Sequence, residues 1–309
     1  MHESWIIDRI RAGNAALEAS SAFPILIAPG DDMAAVRIAG APVLLAADQV
    51  IEDRHWRRGT PLDLVARKAL ARNVSDVAAM AGVPVCALAT AALAPDCDPR
   101  EAATLVDGFR AAGAEFRCPV VGGDVGTHAD PGAPMVLSVS IVALPGPGGR
   151  IVRRAGARPG DLLCVTGVLG DGWRPDGGGR HLAIAPRVAE ALELVAALGD
   201  RLHAMIDVSD GLARDAGHLG RESGLAVEIS AADLPAARPM PWQRLVGDGE
   251  EHELAFAVDG APPASVAGTS VTVVGRFVAG VAGAVTVLDG AERHDASALG
   301  WEHGRESPR

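Results

Sequence analysis

The stretch that decides the fold is residues 61–81, PLDLVARKALARNVSDVAAMA, in which apolar residues recur with the period of a helix. This helix carries Asn73 and Asp76 about one turn apart. Apolar runs typical of strands lie before and after it, at 34–50 and 84–94. The alternation predicts an α+β fold, with Asp76 beside the acidic residues that the neighbouring strands deliver.

Short acidic segments are the second informative feature, because each ends or interrupts an apolar run. They are Gly30-Asp31-Asp32, Ala47-Asp48-Gln49, Asn73–Asp76, Gly122-Gly123-Asp124 and Asp207–Gly211. Strands that stop at carboxylates usually deliver them to a shared edge or cleft. Converging carboxylates repel, so they need protons, Lys or Arg partners, or divalent cations with oxygen ligands. We interpret the set as a Mg²⁺ site that binds a nucleotide phosphate.

The composition limits the classes of protein to consider. The chain has 309 residues, 49% hydrophobic and 22% charged, which is typical of a compact enzyme with one large or two medium domains. A net charge of −11 argues against nucleic acid or an anionic membrane as a partner. The four cysteines lack metal-ligand spacing, so we expect free thiols. Without a recognisable signal peptide or a long apolar run, we expect a cytoplasmic protein.

The segment Pro145–Gly149 cannot hold regular structure, and we predict domains at 1–149 and 150–309 on either side of it. In the first half we expect a helix at 4–19, a hairpin at 34–50, a strand at 84–94, a helix at 99–113 and a strand at 134–144. In the second half we expect helices at 187–198 and 210–223, and strands at 162–166, 225–229, 254–258 and 271–277. Residues 230–250 are expected to be irregular.

Each motif also has a purely structural interpretation. Asp31 and Asp32 fit a turn or cap, Gly122-Gly123-Asp124 fits a tight turn, and Ser209 or Asp210 fits an N-cap. A cap does not need a second acid such as Asp207, so that pair favours metal binding. Arg154 fits one of several solvent-facing arginines, whereas its place before a strand that enters the acidic region favours a phosphate contact. Residues 250–253 fit a charged turn, and His55 and His252 fit ordinary core or surface roles. The glycine-rich stretch 167–179 lacks a P-loop ending and fits a solvated linker better than a phosphate cradle.

Seven segments, in order along nearly the entire chain, closely resemble the thiamine-monophosphate kinase family. They are residues 30–36, 48–55, 68–80, 121–124, 165–171, 206–212 and 249–254. Ordered agreement of this kind is far more specific than any single motif. The wider superfamily includes aminoimidazole ribonucleotide synthetase, selenophosphate synthetase and a hydrogenase maturation factor.

The resemblance implies a two-domain layered α/β sandwich of the aminoimidazole ribonucleotide synthetase-like type, a homodimer whose N-terminal sheets pair. It implies transfer of the γ-phosphoryl group of ATP to thiamine monophosphate, assisted by several Mg²⁺ ions. The implied metal ligands are Asp32, Asp48, Asp76, Asp124, Asp207 and Asp210. The implied ATP contacts are Gly123, Asp124, Arg154 and Ser209, and the implied thiamine phosphate contacts are His55, Glu250 and Trp301. No catalytic acid or base is expected, because the acceptor phosphate is already ionised.

The chain also departs from the family pattern. Ala46-Ala47 replace hydroxyl residues before Asp48, Val125-Gly126 replace a Thr pair, His252 replaces a Tyr, and residues 172–179 form a shortened or remodelled loop. Two alternatives therefore stay open: a paralogue that phosphorylates another small acceptor, and a non-catalytic ATP-binding regulator. An amide- or selenide-activating synthetase is disfavoured, because the chain lacks a nucleophile-bearing glycine-rich N-terminal segment and a cysteine-ended tail.

Overall fold

Two β-sheets, one in each half of the chain, organise the computed structural model, which describes residues 3–302. The strands of the first sheet are β1 (Ile25–Ile27), β2 (Ala34–Ile38), β3 (Ala41–Ile51), β4 (Gly82–Leu93), β5 (Val120–Thr127) and β6 (Val136–Pro145). Their spatial order is β1-β2-β3-β6-β4-β5. The β4–β5 pair is parallel and the other neighbours are antiparallel, so β5 forms an edge of the sheet.

Four helices accompany this sheet. They are α1 (Glu3–Arg11), α2 (Asn14–Ser20), α3 (Leu62–Ala79) and α4 (Pro99–Glu115). Helix α4 begins where Asp98 accepts a hydrogen bond from the Arg100 amide at 2.7 Å, with Pro99 at the first helical position. Helices α3 and α4 cover one face of the sheet, where Leu44, Leu70 and similar side chains form the core.

The second sheet belongs to the C-terminal half. Its strands are β7 (Leu162–Thr166), β8 (Leu202–Asp207), β9 (Ala226–Ser230), β10 (Leu254–Val258), β11 (Ser265–Val266), β12 (Thr269–Val278), β13 (Val285–Asp289) and β14 (Glu292–Asp295). The order is β14-β13-β9-β12-β7-β10-β8, with β11 paired to β12. The accompanying helices are α5 (Val188–Leu198), α6 (Leu212–Ser223) and α7 (Trp242–Gly247).

Helix α3 joins the two halves. Its sheet-facing side packs in the first core, whereas Ala78 near its end packs with Met205 of β8 and with Leu254 and Phe256 of β10. Residues on nearly all sides of α3 are therefore buried, and this explains its many alanines. The arrangement brings the middle of α3 to the end of β8.

The α+β architecture and most predicted elements are confirmed, including the 34–50 hairpin, and the four cysteines are free thiols. The predicted 4–19 helix is divided into α1 and α2 around Gly13. Residues 230–250 contain α7, which follows Pro241, so the prediction of an irregular segment is wrong there. The domain boundary at 149/150 stays a prediction.

Two interpretations of glycine-rich segments are also wrong. Gly122-Gly123-Asp124 lies within β5 instead of a tight turn, because parallel pairing with β4 holds it extended. The start of the 167–179 stretch is no solvated linker, since residues 169–172 are buried against the second half. Among residues 3–302, no helix has the length and apolar character needed to cross a bilayer.

A buried charge network fixes the start of the glycine-rich stretch. Glu253 is fully buried and contacts Arg180 at 2.8 Å, Arg187 at 2.7 Å and the Thr166 hydroxyl at 2.9 Å. A Cβ at Gly167 would collide with the Glu253 carboxylate, so glycine is required there. The network anchors the chain that leaves β7.

Substitution of Glu253 by Gln tests this anchor. We expect the free energy of unfolding in urea to fall by about 3 kcal/mol, because two arginines lose their buried counter-ion. The control is Asp107→Asn on the exposed face of α4, where Asp107 pairs with Arg110 at 2.8 Å; this substitution should change stability by less than about 0.5 kcal/mol. Equal effects of the two substitutions would contradict the anchoring role.

Candidate active site

Three aspartates from different elements meet in one cleft of about 870 Å³. Asp32 precedes β2, Asp76 lies on α3, and Asp207 ends β8; one carboxylate oxygen from each lies within 4.8 Å of the others. The Asp32 side chain has no exposed surface and that of Asp207 is 4% exposed. The sequence prediction that separate acidic segments converge is therefore confirmed for these three residues.

Cationic and polar side chains surround the cluster. Arg154 Nη2 lies 2.6 Å from Asp32 Oδ1, and Arg72 Nε lies 3.0 Å from Asp48 Oδ2. Asp207 Oδ2 accepts a hydrogen bond from Ser75 Oγ at 2.6 Å and lies 3.1 Å from His252 Nδ1. Asp32, Asp48 and Asp207 are therefore each held by at least one specific neighbour.

Behind this layer lies Glu250, whose carboxylate joins two cations of α3. Its Oε2 lies 2.8 Å from Lys68 Nζ, and its Oε1 lies 3.2 Å from Arg72 Nη1. Lys68 is completely buried, and its Nζ also contacts the His55 carbonyl oxygen and His181 Nδ1, each at 2.7 Å. The Glu250 carboxylate therefore fixes Arg72, which in turn holds Asp48.

The pKa values separate the acids into two groups. Burial, opposed by Arg154, raises the pKa of Asp32 to about 7. Burial and the charges of Asp48, Asp207 and Asp32 raise the pKa of Asp76 well above its usual value. At Asp207, burial alone would raise the pKa, but hydrogen bonds and charge from His252 outweigh it and hold the pKa low. Asp207 therefore stays ionised while Asp32 and Asp76 resist ionisation.

The donor set fits a hard divalent cation. It consists of carboxylate oxygens, which Mg²⁺ prefers, and it contains no sulfur ligand. Asp32 Oδ2 is buried without a hydrogen-bond partner, as expected for an atom that a ligand would satisfy. A bound cation would favour the ionised forms of Asp32 and Asp76 and so reverse their raised pKa values.

Most of the remaining predicted residues lie in or beside this cleft. Asp48, Arg154, Ser209 and Asp210 line the same cleft as the cluster. Trp301 lies beside it: its backbone N–H donates to the Asp210 carbonyl at 2.9 Å, and the Arg54 guanidinium lies 4.4 Å from its ring centre.

His55 is buried near this position. Its Nδ1 accepts a hydrogen bond from the Ile51 amide at 3.0 Å, and its carbonyl accepts one from Lys68. In this structure His55 thus anchors the turn that follows β3.

The structure does not bring Gly123 and Asp124 to the cluster. On β5, Gly123 is aligned through Ala89 and Val139 with Asp48 of β3, so two strands separate the positions. Strand spacing makes this roughly 14 Å. Asp124 is the next residue along β5 and lies on the opposite face of the sheet, where it is exposed. Neither residue lines the cleft of its own chain.

Several residues near the cluster were missed from the sequence, including Arg72, Ser75 and Asp215. Arg72, Ser75 and Asp76 share one face of α3, a helical spacing that indicated their proximity to one another but not to β8. The interpretation of 250–253 as a simple charged turn is wrong, because all four side chains are buried. His252 likewise has no ordinary surface or core role, since it contacts Asp207.

Backbone strain accompanies this segment. Glu250 and His252 adopt left-handed φ angles of 64° and 52°, which non-glycine residues rarely do. The Glu250 amide donates to the Ser209 carbonyl and the His252 amide to the Val208 carbonyl, both at 2.8 Å. These bonds extend the β8–β10 pairing and hold the strained segment against Ser209.

Comparisons with known proteins identify the family of this chain. Residues 30–144 match the family described as AIRS: AIR synthase related protein, N-terminal domain. Thiamine-monophosphate kinase of Mycobacterium tuberculosis (strain H37Rv) is 32% identical over 289 residues, covering 85% of this chain and 82% of that protein. The enzyme of that name from Caulobacter vibrioides is 30% identical over 292 residues, covering 86% and 81%.

Solved structures give the same result. AaThiL complexed with AMPPCP and TMP superimposes with a TM-score of 0.79 and 27% identity, covering 98% of this chain and 97% of that one. Thiamine monophosphate kinase from Aquifex aeolicus superimposes with a TM-score of 0.70 and 25% identity, covering 94% of this chain and 98% of that one. The hydrogenase maturation protein HypE in complex with ATP shares the fold. It superimposes with a TM-score of 0.67 and 16% identity, covering 82% of this chain and 84% of that one. From its identity to these relatives over most of its length, the chain belongs to the thiamine-monophosphate kinase family.

Proposed function

We propose that this protein transfers the γ-phosphoryl group of ATP to thiamine monophosphate, giving thiamine diphosphate and ADP. The observation that carries the proposal is the convergence of Asp32, Asp76 and Asp207 within 4.8 Å in an open cleft lined by arginines. Membership of the family and likeness to a relative solved with AMPPCP and TMP support the same reaction.

Mg²⁺ is the cofactor that this donor set would hold. Asp32, Asp76 and Asp207 would bind it, and we propose that Asp48 and Asp210, which line the same cleft, help to hold more than one ion. When bound, Mg²⁺ neutralises phosphate charge and so lowers the repulsion between donor and acceptor. Ala46 and Ala47, which replace hydroxyl residues of the family pattern, both line the cleft, so backbone carbonyls are the only oxygens that they can offer a cation.

The chain's own side chains position the reactants. Arg154 lines the cleft at 22% side-chain exposure, so its guanidinium can contact a phosphate while it holds Asp32. His252 keeps Asp207 ionised and therefore ready to act as a ligand. Phosphoryl transfer depends on such positioning and charge neutralisation, and an ionised phosphate acceptor needs no strong base.

We place the acceptor beside Trp301. Arg54 stands over its ring at 4.4 Å, which shows that the ring attracts a cation at this position. Thiamine monophosphate carries a cationic aromatic ring and an anionic phosphate, which would suit Trp301 and Arg54 respectively. His55 is buried next to Arg54 in the chain, and Glu250 is buried where it pairs with Lys68 and Arg72, so we assign both to the support of the site in the absence of substrate.

We also propose that the protein is a homodimer. The face of the first sheet opposite α3 and α4 exposes apolar side chains, with Leu88 at 49% and Leu144 at 43%. At the β5 edge, Val121 is 63% exposed and Val125 is 65% exposed. A second copy on this face would bury Leu88 and Leu144 and bring its own Asp124 to an interface, and contact along the β5 edge would also cover Val121 and Val125.

Product analysis tests the proposed reaction. Purified protein is incubated with ATP, Mg²⁺ and thiamine monophosphate, with an acceptor-free control, and thiamine diphosphate and ADP are separated by chromatography. Equal amounts of both products are expected. ADP without thiamine diphosphate would indicate another acceptor, and ATP binding without turnover would indicate a regulator; either result would contradict the proposal.

Asp76→Asn should lower kcat by roughly 10³-fold or more, because it removes a charged ligand that the transition state needs. Asp107→Asn on the exposed face of α4 is the matched control and should keep wild-type kcat. Circular dichroism of both variants should match that of the wild type. Full turnover by Asp76→Asn would rule out the carboxylate cluster as the metal site.

The same variant should be more stable than the wild type when metal is absent. A carboxyl whose folded pKa is raised contributes stability at low pH that is lost as the pH rises through that pKa. The wild type must ionise Asp76 among other acids, whereas the amide of the Asp76→Asn variant stays neutral. We expect the difference in thermal midpoint, measured in EDTA, to grow from pH 5 to pH 8 in favour of the variant, about 2 °C or more at the upper end. Added Mg²⁺ should raise the wild-type midpoint more; a pH-independent difference would contradict the account.

Leu88→Asp tests the dimer. Charge at the centre of an apolar interface leaves an unpaired buried carboxylate, so the variant should sediment as a monomer while the wild type sediments as a dimer. Val281→Asp is the control, because Val281 is 77% exposed and lies in the second half, away from this face. A monomeric wild type would refute the proposed dimer.

A further inference from the structure

Arg72 lies in the wall of the cleft, between the carboxylate cluster and the side proposed for the acceptor. Its Nε lies 3.0 Å from Asp48 Oδ2, and its Nη1 lies 3.2 Å from Glu250 Oε1. Asp48 belongs to the cluster side, because its charge is one of those that raise the pKa of Asp76. Glu250 belongs to the other side, where it pairs with Lys68 at 2.8 Å. The guanidinium therefore spans the boundary between the two sides.

The acceptor side is connected to this boundary through Lys68, whose Nζ donates to the His55 carbonyl at 2.7 Å. His55 follows Arg54 in the chain, and the Arg54 guanidinium lies 4.4 Å from the Trp301 ring centre. An acceptor phosphate on the Trp301 side and a donor phosphate over the cluster would therefore meet beside Arg72. This is the place where a phosphoryl group changes partners.

The Arg72 guanidinium is charged, held in place and accessible. Burial alone would lower the pKa of Arg72, but the charges of Asp48 and Glu250 outweigh it and raise that pKa. The bonds to these two carboxylates use two of the five N–H donors of an arginine, so other donors are left for a ligand. The side chain is 15% exposed and lines the cleft. Donors fixed in advance stabilise developing charge without a cost of reorganisation.

The strand beside Arg72 offers a cation few oxygen ligands. Ala46 and Ala47, which precede Asp48 on β3, line the cleft without a side-chain oxygen. Asp48 Oδ2 is bonded to Arg72, so the other carboxylate oxygen of this 34% exposed side chain is the one left for a cation. Positive charge on this side of the cleft is therefore supplied in part by the protein itself.

We propose that Arg72 is a catalytic residue that binds the γ-phosphoryl group as it passes from ATP to the acceptor. An oxygen of the acceptor phosphate forms a bond to the γ-phosphorus, the bond from this phosphorus to the bridging oxygen of ADP breaks, and its electron pair stays on ADP. No proton moves, because the acceptor phosphate reacts in its ionised form. Charge spreads over the oxygens of the transferred group, and an arginine in contact with them lowers the barrier. This inference rests on the proposed function, because it requires that the cleft bring ATP and thiamine monophosphate together.

Substitution of Arg72 tests this role by steady-state kinetics. Arg72→Gln should lower kcat by about 10³-fold and leave KM for both substrates within about threefold, because the lost contact forms in the transition state. Arg72→Lys keeps the charge without the planar fork, so its kcat should stay about tenfold or more above that of Arg72→Gln. A kcat of Arg72→Gln within about threefold of the wild-type value, or equal losses in the two variants, would overturn the inference.

Arg67→Gln is the matched control, because it makes the same change on the same helix. Arg67 pairs with Glu115 at 2.6 Å and lies outside the cleft, so this variant should retain wild-type kcat. A loss of kcat equal to that of Arg72→Gln would show an effect of charge on the helix in general and would overturn the role of Arg72.

A transition-state analogue gives a readout that does not depend on turnover. Calorimetry on the full chain compares binding of Mg-ATP with binding of Mg-ADP, aluminium fluoride and thiamine monophosphate together, in which the fluoride complex replaces the transferred group. Arg72→Gln should weaken the fluoride complex by about 10²-fold or more and Mg-ATP by less than about threefold. Arg72→Lys, which keeps the counter-charge of Asp48 and Glu250 and hence the fold, should show a smaller loss of the same kind.

The outcomes separate this inference from the proposed function. Equal weakening of the fluoride complex and of Mg-ATP in both variants would indicate a structural role and overturn the inference alone. A wild type that neither binds Mg-ATP nor forms thiamine diphosphate would instead overturn the proposed function, and this inference with it.

Discussion

Repulsion among buried carboxylates is the constraint on which the rest of this structure depends. Asp32, Asp76 and Asp207 come within 4.8 Å of one another, and Asp48 stands close enough to raise the pKa of Asp76. Such an arrangement is unfavourable in a folded chain unless charge or protons compensate it. Hydrophobic cores stabilise the rest of the protein, so the unfavourable cluster indicates a site that binds a cation.

The surrounding cations compensate the cluster only in part. Arg154 and His252 each hold one acid, and Arg72 divides its guanidinium between Asp48 and Glu250. Lys68 in turn pairs with Glu250, so the cations are themselves fixed from behind. The result is a rigid set of oxygen ligands with residual negative charge, which is the environment that a divalent cation and its phosphates neutralise. The left-handed backbone of Glu250 and His252 is tolerated because both side chains belong to this network.

Much of this could be predicted from the sequence, because local signals carried it. The Ala-rich period of 61–81 indicated α3, and acids at the ends of apolar runs indicated Asp32, Asp48 and Asp207. The contacts between side chains of distant segments carried no local signal. Nothing in the sequence around Ser75 or Arg72 indicates that Ser75 bonds to Asp207 of β8 or that Arg72 pairs with Asp48 of β3. His252 was equally hidden, since a single histidine does not reveal a buried aspartate 45 residues earlier. Asp124 was predicted to join the cluster on the strength of its motif alone, but strand register places it on the opposite face of the sheet.

The central claim is that the folded, metal-free cluster retains protons that a divalent cation displaces. Calorimetric titration of the wild type with Mg²⁺ at about pH 7, in two buffers of different ionisation enthalpy, counts the protons released. The account predicts net proton release near pH 7, because the pKa of Asp32 is about 7 and that of Asp76 is raised, and a smaller release at higher pH. Mg²⁺ binding with no proton release at that pH, or no binding at all, would contradict it.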